Sequence, residues 1–410
     1  ERALARRLEA GAGDVTRTLD EVAARLGQRS PPRGLSTTDA RARAGRLLSL
    51  ARARGDAEAA RTVGRAMLEI SRQTRRVLEE ARVVLTTFAR LTVHEELRSL
   101  RYATLLIDEA STAPLPYVVY AAALAAERAA AVGDFQQLPP VVASSGPAAA
   151  RWLRRDLFRE TGVVTVGERA DTSLPSPSDG LCAMLDVQYR MRPDIRALVS
   201  EFFYAGRLKD ADGIASGRRS PPFEPGVLLL DTSDLDPTVE RIDGSRRNRC
   251  HAEVIRALLA EVARRGEADV AVVSPYRAQT RLLRDTARRG LGRAAPAELQ
   301  VSTIHRFQGR EKRIVVFDTV DAPPGRSWFL DERRNPDFPR LLNVALSRAR
   351  DGLVLVGSVQ GLRLTLPPDA LLHRLLEHVQ ACGGRVEARS WDGGAVGKGP
   401  LSESGSLPLG

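Results

Sequence analysis

Seven short runs of uninterrupted apolar residues constrain this chain more than any other feature: Val83-Val84-Leu85, Thr104-Leu105-Leu106-Ile107, Ala130-Ala131-Val132, Val227-Leu228-Leu229-Leu230, Val270-Ala271-Val272-Val273, Ile314-Val315-Val316-Phe317 and Leu353-Val354-Leu355-Val356. A half-solvated strand alternates apolar and polar side chains. A run without alternation must be covered on both faces, as strands of a parallel sheet are. Helical stretches separate the runs, and strands alternating with helices predict an α/β architecture. A chain of 410 residues is long enough for two or three domains with their own cores.

Ahead of the first run the texture differs. Residues 1–36 are rich in Arg, Ala and Gly and carry a breaker cluster at Ser30-Pro31-Pro32-Arg33-Gly34. From Thr37 to Arg82 the pattern is helical. Val63, Met67, Ile70, Thr74, Val77 and Ala81 recur at steps of 4, 3, 4, 3 and 4, a one-sided stripe expected to be a packing seam between helices. A Ser/Pro/Asp/Gly stretch at 171–180 is the expected interdomain linker, and the residues from Gly383 onward are expected to be disordered.

The formal charge is +11 and the pI about 10.3, with lysine only at 209, 312 and 398. An arginine excess suits a polyanion such as nucleic acid, because it displaces condensed counterions; an arginine-for-lysine compositional bias accounts for the same numbers. No run of about 18 apolar residues is present, so no membrane span is expected. Cys182, Cys250 and Cys382 lie far apart and the five histidines form no ligand pattern, which predicts neither disulfides nor zinc and fits a reducing cytoplasm. Glu1-Arg2-Ala3-Leu4 is neither a start methionine nor a signal peptide, so the chain is expected to begin inside a longer protein.

Leu105-Leu106-Ile107-Asp108-Glu109-Ala110-Ser111 is a strand ending in two carboxylates, where α/β sheets place their ligands. Asp108 is suited to a Mg²⁺ shell and Glu109 to an attacking water; a helix N-cap after a strand is the plainer reading. Gly133-Asp134-Phe135-Gln136-Gln137-Leu138-Pro139-Pro140 follows, an amide-bearing loop stiffened by two prolines. Then come Leu185-Asp186-Val187-Gln188-Tyr189-Arg190-Met191-Arg192-Pro193, and Val273-Ser274-Pro275-Tyr276-Arg277-Ala278-Gln279. Val301-Ser302-Thr303-Ile304-His305-Arg306-Phe307-Gln308-Gly309-Arg310-Glu311-Lys312 precedes one apolar run, and Leu342-Asn343-Val344-Ala345-Leu346-Ser347-Arg348-Ala349-Arg350 the last.

In this order the set resembles the motifs of superfamily 1 helicases, specifically the 5′→3′ branch that includes the nonsense-mediated-decay RNA helicase. The resemblance implies two RecA-like α/β domains with parallel sheets, of the P-loop NTPase class. It places a helical stalk at 1–82, an incomplete first domain at 83–175, a second at 181–362, and a C-terminal helix and tail at 363–410. It implies ATP and Mg²⁺ as cofactors and DNA or RNA, single-stranded or duplex, as partner. Asp108 would hold Mg²⁺ and Glu109 the water; Gln137 would sense the γ-phosphate; Arg190 and Arg348 would be arginine fingers stabilising charge in phosphoryl transfer. Gly309, Glu311 and Asp134 would lie near the nucleotide, with Gln308 linking it to the strand. Ser274, Tyr276, Arg277, Thr303, His305 and, from the weaker Thr86-Thr87-Phe88 signal, Thr87 would contact nucleic acid.

One element of the family pattern is missing: no Gly-x-x-x-x-Gly-Lys-[Ser/Thr] occurs in the chain, and that loop cradles phosphates with its amides and lysine. Two readings follow. In one, the chain is a fragment of an intact helicase, inactive by itself. In the other, it is a degenerate relative that binds nucleic acid or protein without turnover.

Overall fold

The computed structural model describes residues 2–29, 37–162, 182–214, 226–307, 309–382 and 384–390, with backbone alone for 2–13, 37, 38 and 390. The expected linker at 171–180, the breaker cluster at 30–34, Gln308 and the tail beyond 390 lie outside the described residues. Two units divide the chain: residues 1–108 with 116–131, and residues 109–115 with 132–410. The loop at 132–140, expected with the first domain, falls in the second unit.

In the first unit, α1 (Arg2–Arg25), α2 (Thr37–Ala53) and α3 (Ala57–Glu80) pack around Leu19, Val22, Leu26, Ala44, Leu47, Val63 and Ile70. The stripe on α3 is indeed a seam, buried at Val63 and Ile70. Composition alone hid α1; its Ala and Arg content favours helix, and Val15, Leu19, Val22 and Leu26 give it one buried face. The chain reverses at Arg54-Gly55-Asp56, where Gly55 takes φ +68° and Asp56 Oδ1 caps α3 by accepting the Ala59 amide at 3.0 Å. Arg41 on α2 donates to Ser71 Oγ on α3 at 2.6 Å and to both oxygens of Glu96, tying the helices to the segment that follows.

Among the described residues the sheet of this unit consists of β1 (Tyr102–Ile107) and β2 (Ala125–Ala131), parallel, with Leu106 opposite Ala130. It departs from expectation in two ways. Val83-Val84-Leu85 is no strand: among the described residues no neighbour pairs with it, and an extended segment without partners for its N–H and C=O groups is not held in place; Leu85 is 94% exposed. The faces of β1 and β2 are largely open as well, with Leu106 74% exposed.

The second unit fits the parallel-sheet expectation. The strands of its large sheet are β3 (Val227–Asp231), β4 (Val270–Ser274), β5 (Gln300–Thr303), β6 (Lys312–Asp318), β7 (Ala349–Gly357) and β8 (Arg385–Glu387). They form one sheet in the order β8-β3-β7-β6-β4-β5, parallel throughout. Successive side chains leave opposite faces, so Val315 and Phe317 enter one apolar core while Ile314 and Val316 enter the other. The first core is closed by α4 (Pro193–Phe203), α7 (Phe338–Leu346) and α8 (Leu371–Ala381), the second by α5 (Arg249–Arg264) and α6 (Arg277–Gly290). This is a RecA-like α/β/α arrangement. Two strands carry no apolar-run signal. β5 is half polar, and β8 lies in the stretch expected to be disordered from Gly383. There Gly384 approaches β3 so closely that a Cβ would stand 2.5 Å from the Val227 carbonyl, and its own carbonyl accepts the Leu229 amide at 2.7 Å.

Candidate functional site

Because all strands of the large sheet run one way, its starts share one rim and its ends the opposite rim. The candidate residues of the second unit divide between these rims according to chemistry.

On the starting rim, Glu311 precedes β6 and Arg348 precedes β7, and the Lys312–Ala349 register sets these positions side by side. The Lys312 amide donates to the Arg348 carbonyl at 3.1 Å. The segment carrying Arg190 is anchored to the same rim by the Arg192 amide, which donates to the Arg350 carbonyl at 2.9 Å. Its turn is closed by Gln188, whose Oε1 accepts the amides of Arg190 and Met191 at 2.8 and 2.6 Å and whose Nε2 donates to Asp210 at 2.6 Å. Arg190 Nε then meets Glu311 Oε2 at 2.8 Å. Gly309, at φ +72°, turns the chain two residues earlier and is exposed.

The 133–140 loop joins this rim through side chains. Gly133 packs so tightly on the 110–111 backbone that a Cβ would lie 2.9 Å from the Ser111 nitrogen. Asp134 Oδ1 accepts the Gln136 amide at 2.9 Å and Oδ2 the Gln137 side-chain amide at 2.8 Å. Gln137 Oε1 in turn accepts from Arg348 Nη2. A second path runs through residues that the sequence did not single out. Tyr204, just after α4, donates its hydroxyl to Asp134 Oδ2 and accepts Asn343 Nδ2 at 2.8 Å, while Asn343 also reaches the Gln136 carbonyl at 2.9 Å. Burial and the Asp134 carboxylate push the Tyr204 hydroxyl well above its ordinary range, so it stays a donor. Asn343 and Gln188 stood inside quoted motifs, but Phe202-Phe203-Tyr204 reads only as an apolar helix end.

Arg348 is 4% exposed, and among the described residues no carboxylate lies within ion-pair range of it. Burial and the nearby Arg190 charge lower its affinity for the proton, opposed by Glu109, Tyr204 and Asp134. Its Nε has no hydrogen-bond partner. A buried guanidinium held by a neutral amide, beside a second arginine, suits an anion of several charges.

Glu109 is exposed and held in the left-handed region at φ 52°, ψ 38°, where the chain leaves β1 and enters a 3₁₀ turn. The boundary between the units falls directly before it. Asp108 and Thr87 belong to the first unit. Asp108 is exposed at the end of β1, and Thr87 caps a short helix by accepting the Arg90 amide at 3.3 Å. Among the described residues no three His, Cys, Asp or Glu converge on one point. The exposed Asp108 carboxylate at the end of a strand is an oxygen donor of the type that holds Mg²⁺ through its water shell.

The ending rim carries the other candidates. Ser274 and Thr303 are register partners at the ends of β4 and β5. Ser274 is fully buried and its Oγ accepts the Tyr276 amide at 3.3 Å, so it shapes the turn and is corrected from a direct contact to a support. The Tyr276 hydroxyl donates to Asp321 Oδ2 at 2.9 Å, leaving it half-buried; burial and Asp321 raise its pKa far above the ordinary tyrosine range. Arg277 and His305 are exposed and Thr303 is half-buried.

Comparison with known proteins adds an independent line. Residues 5–145 and 172–360 each match an AAA domain family. The chain is 29% identical over 330 residues to Helicase sen1 of Schizosaccharomyces pombe, covering 75% of this chain and 18% of that protein. It is 28% identical to a Regulator of nonsense transcripts 1 homolog of Neurospora crassa, covering 76% and 27% respectively. Against a DNA replication ATP-dependent helicase/nuclease of Mus musculus the identity is 30%, covering 67% and 26%. The chain thus spans between 18% and 27% of the length of these relatives.

Proposed function

We propose that this chain, which belongs to the superfamily 1B helicases by its pair of AAA domain matches and its relatives, is part of an ATP-driven nucleic-acid translocase of 5′→3′ polarity. The observation that carries the reading is the hydrogen bond that buried Arg348 donates to Gln137, next to Arg190. It couples a polar sensor loop to two arginines poised for phosphate charge. Mg²⁺-ATP, when bound, supplies a phosphoanhydride bond whose cleavage releases free energy.

The residues present fit the anion side of such a site. Arg348 and Arg190 would meet negative charge that develops on the transferring group. Gln137 would change partners when that charge arrives, and Asp134, Tyr204 and Asn343 would hold it in register. Glu109 would accept a proton from water, and Asp108 would hold Mg²⁺ through its water shell. The lysine-bearing phosphate loop is not among these residues, so turnover is assigned to a protein that carries this chain together with such a loop. The domain division proposed is a helical stalk at 1–82, an incomplete first RecA-like domain at 83–175 and a second at 181–362.

The partner proposed is DNA or RNA, reached from the ending rim by Arg277, Thr303 and His305; Thr87 of the first unit is proposed separately as a contact. No helix among the described residues is long and apolar enough to cross a membrane, and Cys182, Cys250 and Cys382 are free thiols, which suits a reducing compartment such as the cytoplasm.

The test is nucleic-acid-stimulated ATPase of the loop-bearing protein. Glu109→Gln is expected to lower turnover at least about a hundredfold and Arg348→Ala about a thousandfold. Unchanged turnover in either variant would overturn the assignment of that residue to the hydrolytic site. The 410-residue chain by itself is expected to show no Mg²⁺-dependent turnover.

A further inference from the structure

The loop between β6 and α7 turns neighbouring side chains to opposite sides around Trp328. Ser327 and Leu330 are buried and Phe329 packs inward, its ring 5.7 Å from Tyr276 and 6.4 Å from Phe338. Trp328 between them is 56% exposed. A lone exposed apolar side chain is ordinary; what sets this one apart is how firmly its backbone is held. Arg246 Nη2 donates to the Arg326 carbonyl at 2.7 Å, the Ser327 amide to the Thr365 carbonyl at 3.1 Å, and Asn335 Nδ2 to the Phe329 carbonyl at 2.9 Å. The largest aromatic surface among the side chains is thereby turned to solvent on a fixed mount, losing little further freedom when something stacks on it.

Its surroundings indicate what that is. Asp321, at the start of this loop, accepts from Arg246 at 2.8 Å and from the Tyr276 hydroxyl at 2.9 Å, while Phe329 covers the Tyr276 ring. The turn bearing Tyr276 and Arg277 and the loop bearing Trp328 therefore share one buried cluster on the ending rim of the sheet. Arg277 and Arg326 are both exposed there. Exposed cations carried by the same turn and loop as a held aromatic residue match a chain that alternates phosphates with flat rings.

We propose that Trp328 is a stacking platform for one base of a single-stranded nucleic acid, with Arg277 and Arg326 meeting the neighbouring phosphates. The inference rests on the nucleic-acid reading above and adds a base-contacting residue to it.

The sequence has three tryptophans, so Trp152→Phe with Trp391→Phe leaves Trp328 as the sole tryptophan emitter. This protein is titrated with a short oligothymidylate and with an abasic sugar-phosphate oligomer of equal length. Emission is expected to be quenched by the first and not by the second. Trp328→Ala is expected to weaken oligothymidylate binding about tenfold and to leave the abasic oligomer unaffected, with Trp328→Phe keeping most of the affinity. Binding without quenching, or a Trp328→Ala protein as tight as its parent, would overturn the platform alone and leave the side chain as a protein contact. Failure of the parent to bind either oligomer would overturn the nucleic-acid reading and the platform with it.

Discussion

The two sheets of this chain start from the same signal and end differently. In the second unit, the apolar runs at 270–273 and 314–317 become strands whose every residue is sealed between helical layers. In the first unit, the run at 104–107 becomes a strand with one neighbour and open faces, and the run at 83–85 becomes no strand. An uninterrupted apolar run states what a segment needs, namely pairing at its edges and cover on its faces. Whether the need is met depends on segments far away in sequence. The first unit draws its described core instead from helices, around Leu19, Val63 and their neighbours.

The comparison can be broken most directly in the strands themselves. Phe317→Ala, which empties a fully buried position on β6, is expected to cost about 3–5 kcal/mol, whereas Leu106→Ala on open β1 should cost about 0.5 kcal/mol or less. Chemical denaturation of both variants measures the difference, and equal losses would mean that β1 is covered in solution.

A smaller effect is expected from acid in the first unit. Arg41 holds the Glu96 carboxyl at about 2, down from its ordinary 4.5, against the opposing effect of burial. The folded value lies below the unfolded one, so the pair's contribution is complete above pH 4.5 and fades as pH falls toward 2. Its size is on the order of 2 kcal/mol. Protection factors of α2 and α3 amides should fall across that window, and Glu96→Gln should remove that part of the pH dependence. A variant with the parent's pH profile would assign the acid response to other groups.

Smallest in stability is the hydroxyl of Tyr204. Tyr204→Phe leaves Asp134 its bond from Gln137 and Asn343 its bond to the Gln136 carbonyl, so about 1 kcal/mol is expected. Its larger consequence should be functional: in the loop-bearing protein, turnover is expected to fall while oligonucleotide affinity holds. Equal losses in both would mark the hydroxyl as merely structural.

Much of the site was legible because its residues sit in contiguous strings. Asp134, Gln137, Arg190, Glu311 and Arg348 were named from local order, and the structure joins them by side-chain bonds in the second unit. Ser274 was placed in the right turn but on the wrong side of the surface, since nothing local shows whether a serine at a strand end points out or in. Tyr204 was invisible because its partners lie 70 and 139 residues away.

What the sequence determined by itself was the α/β class, the central strands β3, β4, β6 and β7 and the ordered series of polar motifs, all of which follow from preferences expressed over a few neighbouring residues. The tertiary structure alone decided which strands are covered, that the half-polar β5 and the short β8 complete the sheet, and that Arg190 and Arg348 occupy one rim and the Trp328 loop the opposite one. The physical reason is that burial, pairing and convergence are properties of two segments at once. A local pattern can state only one side of each.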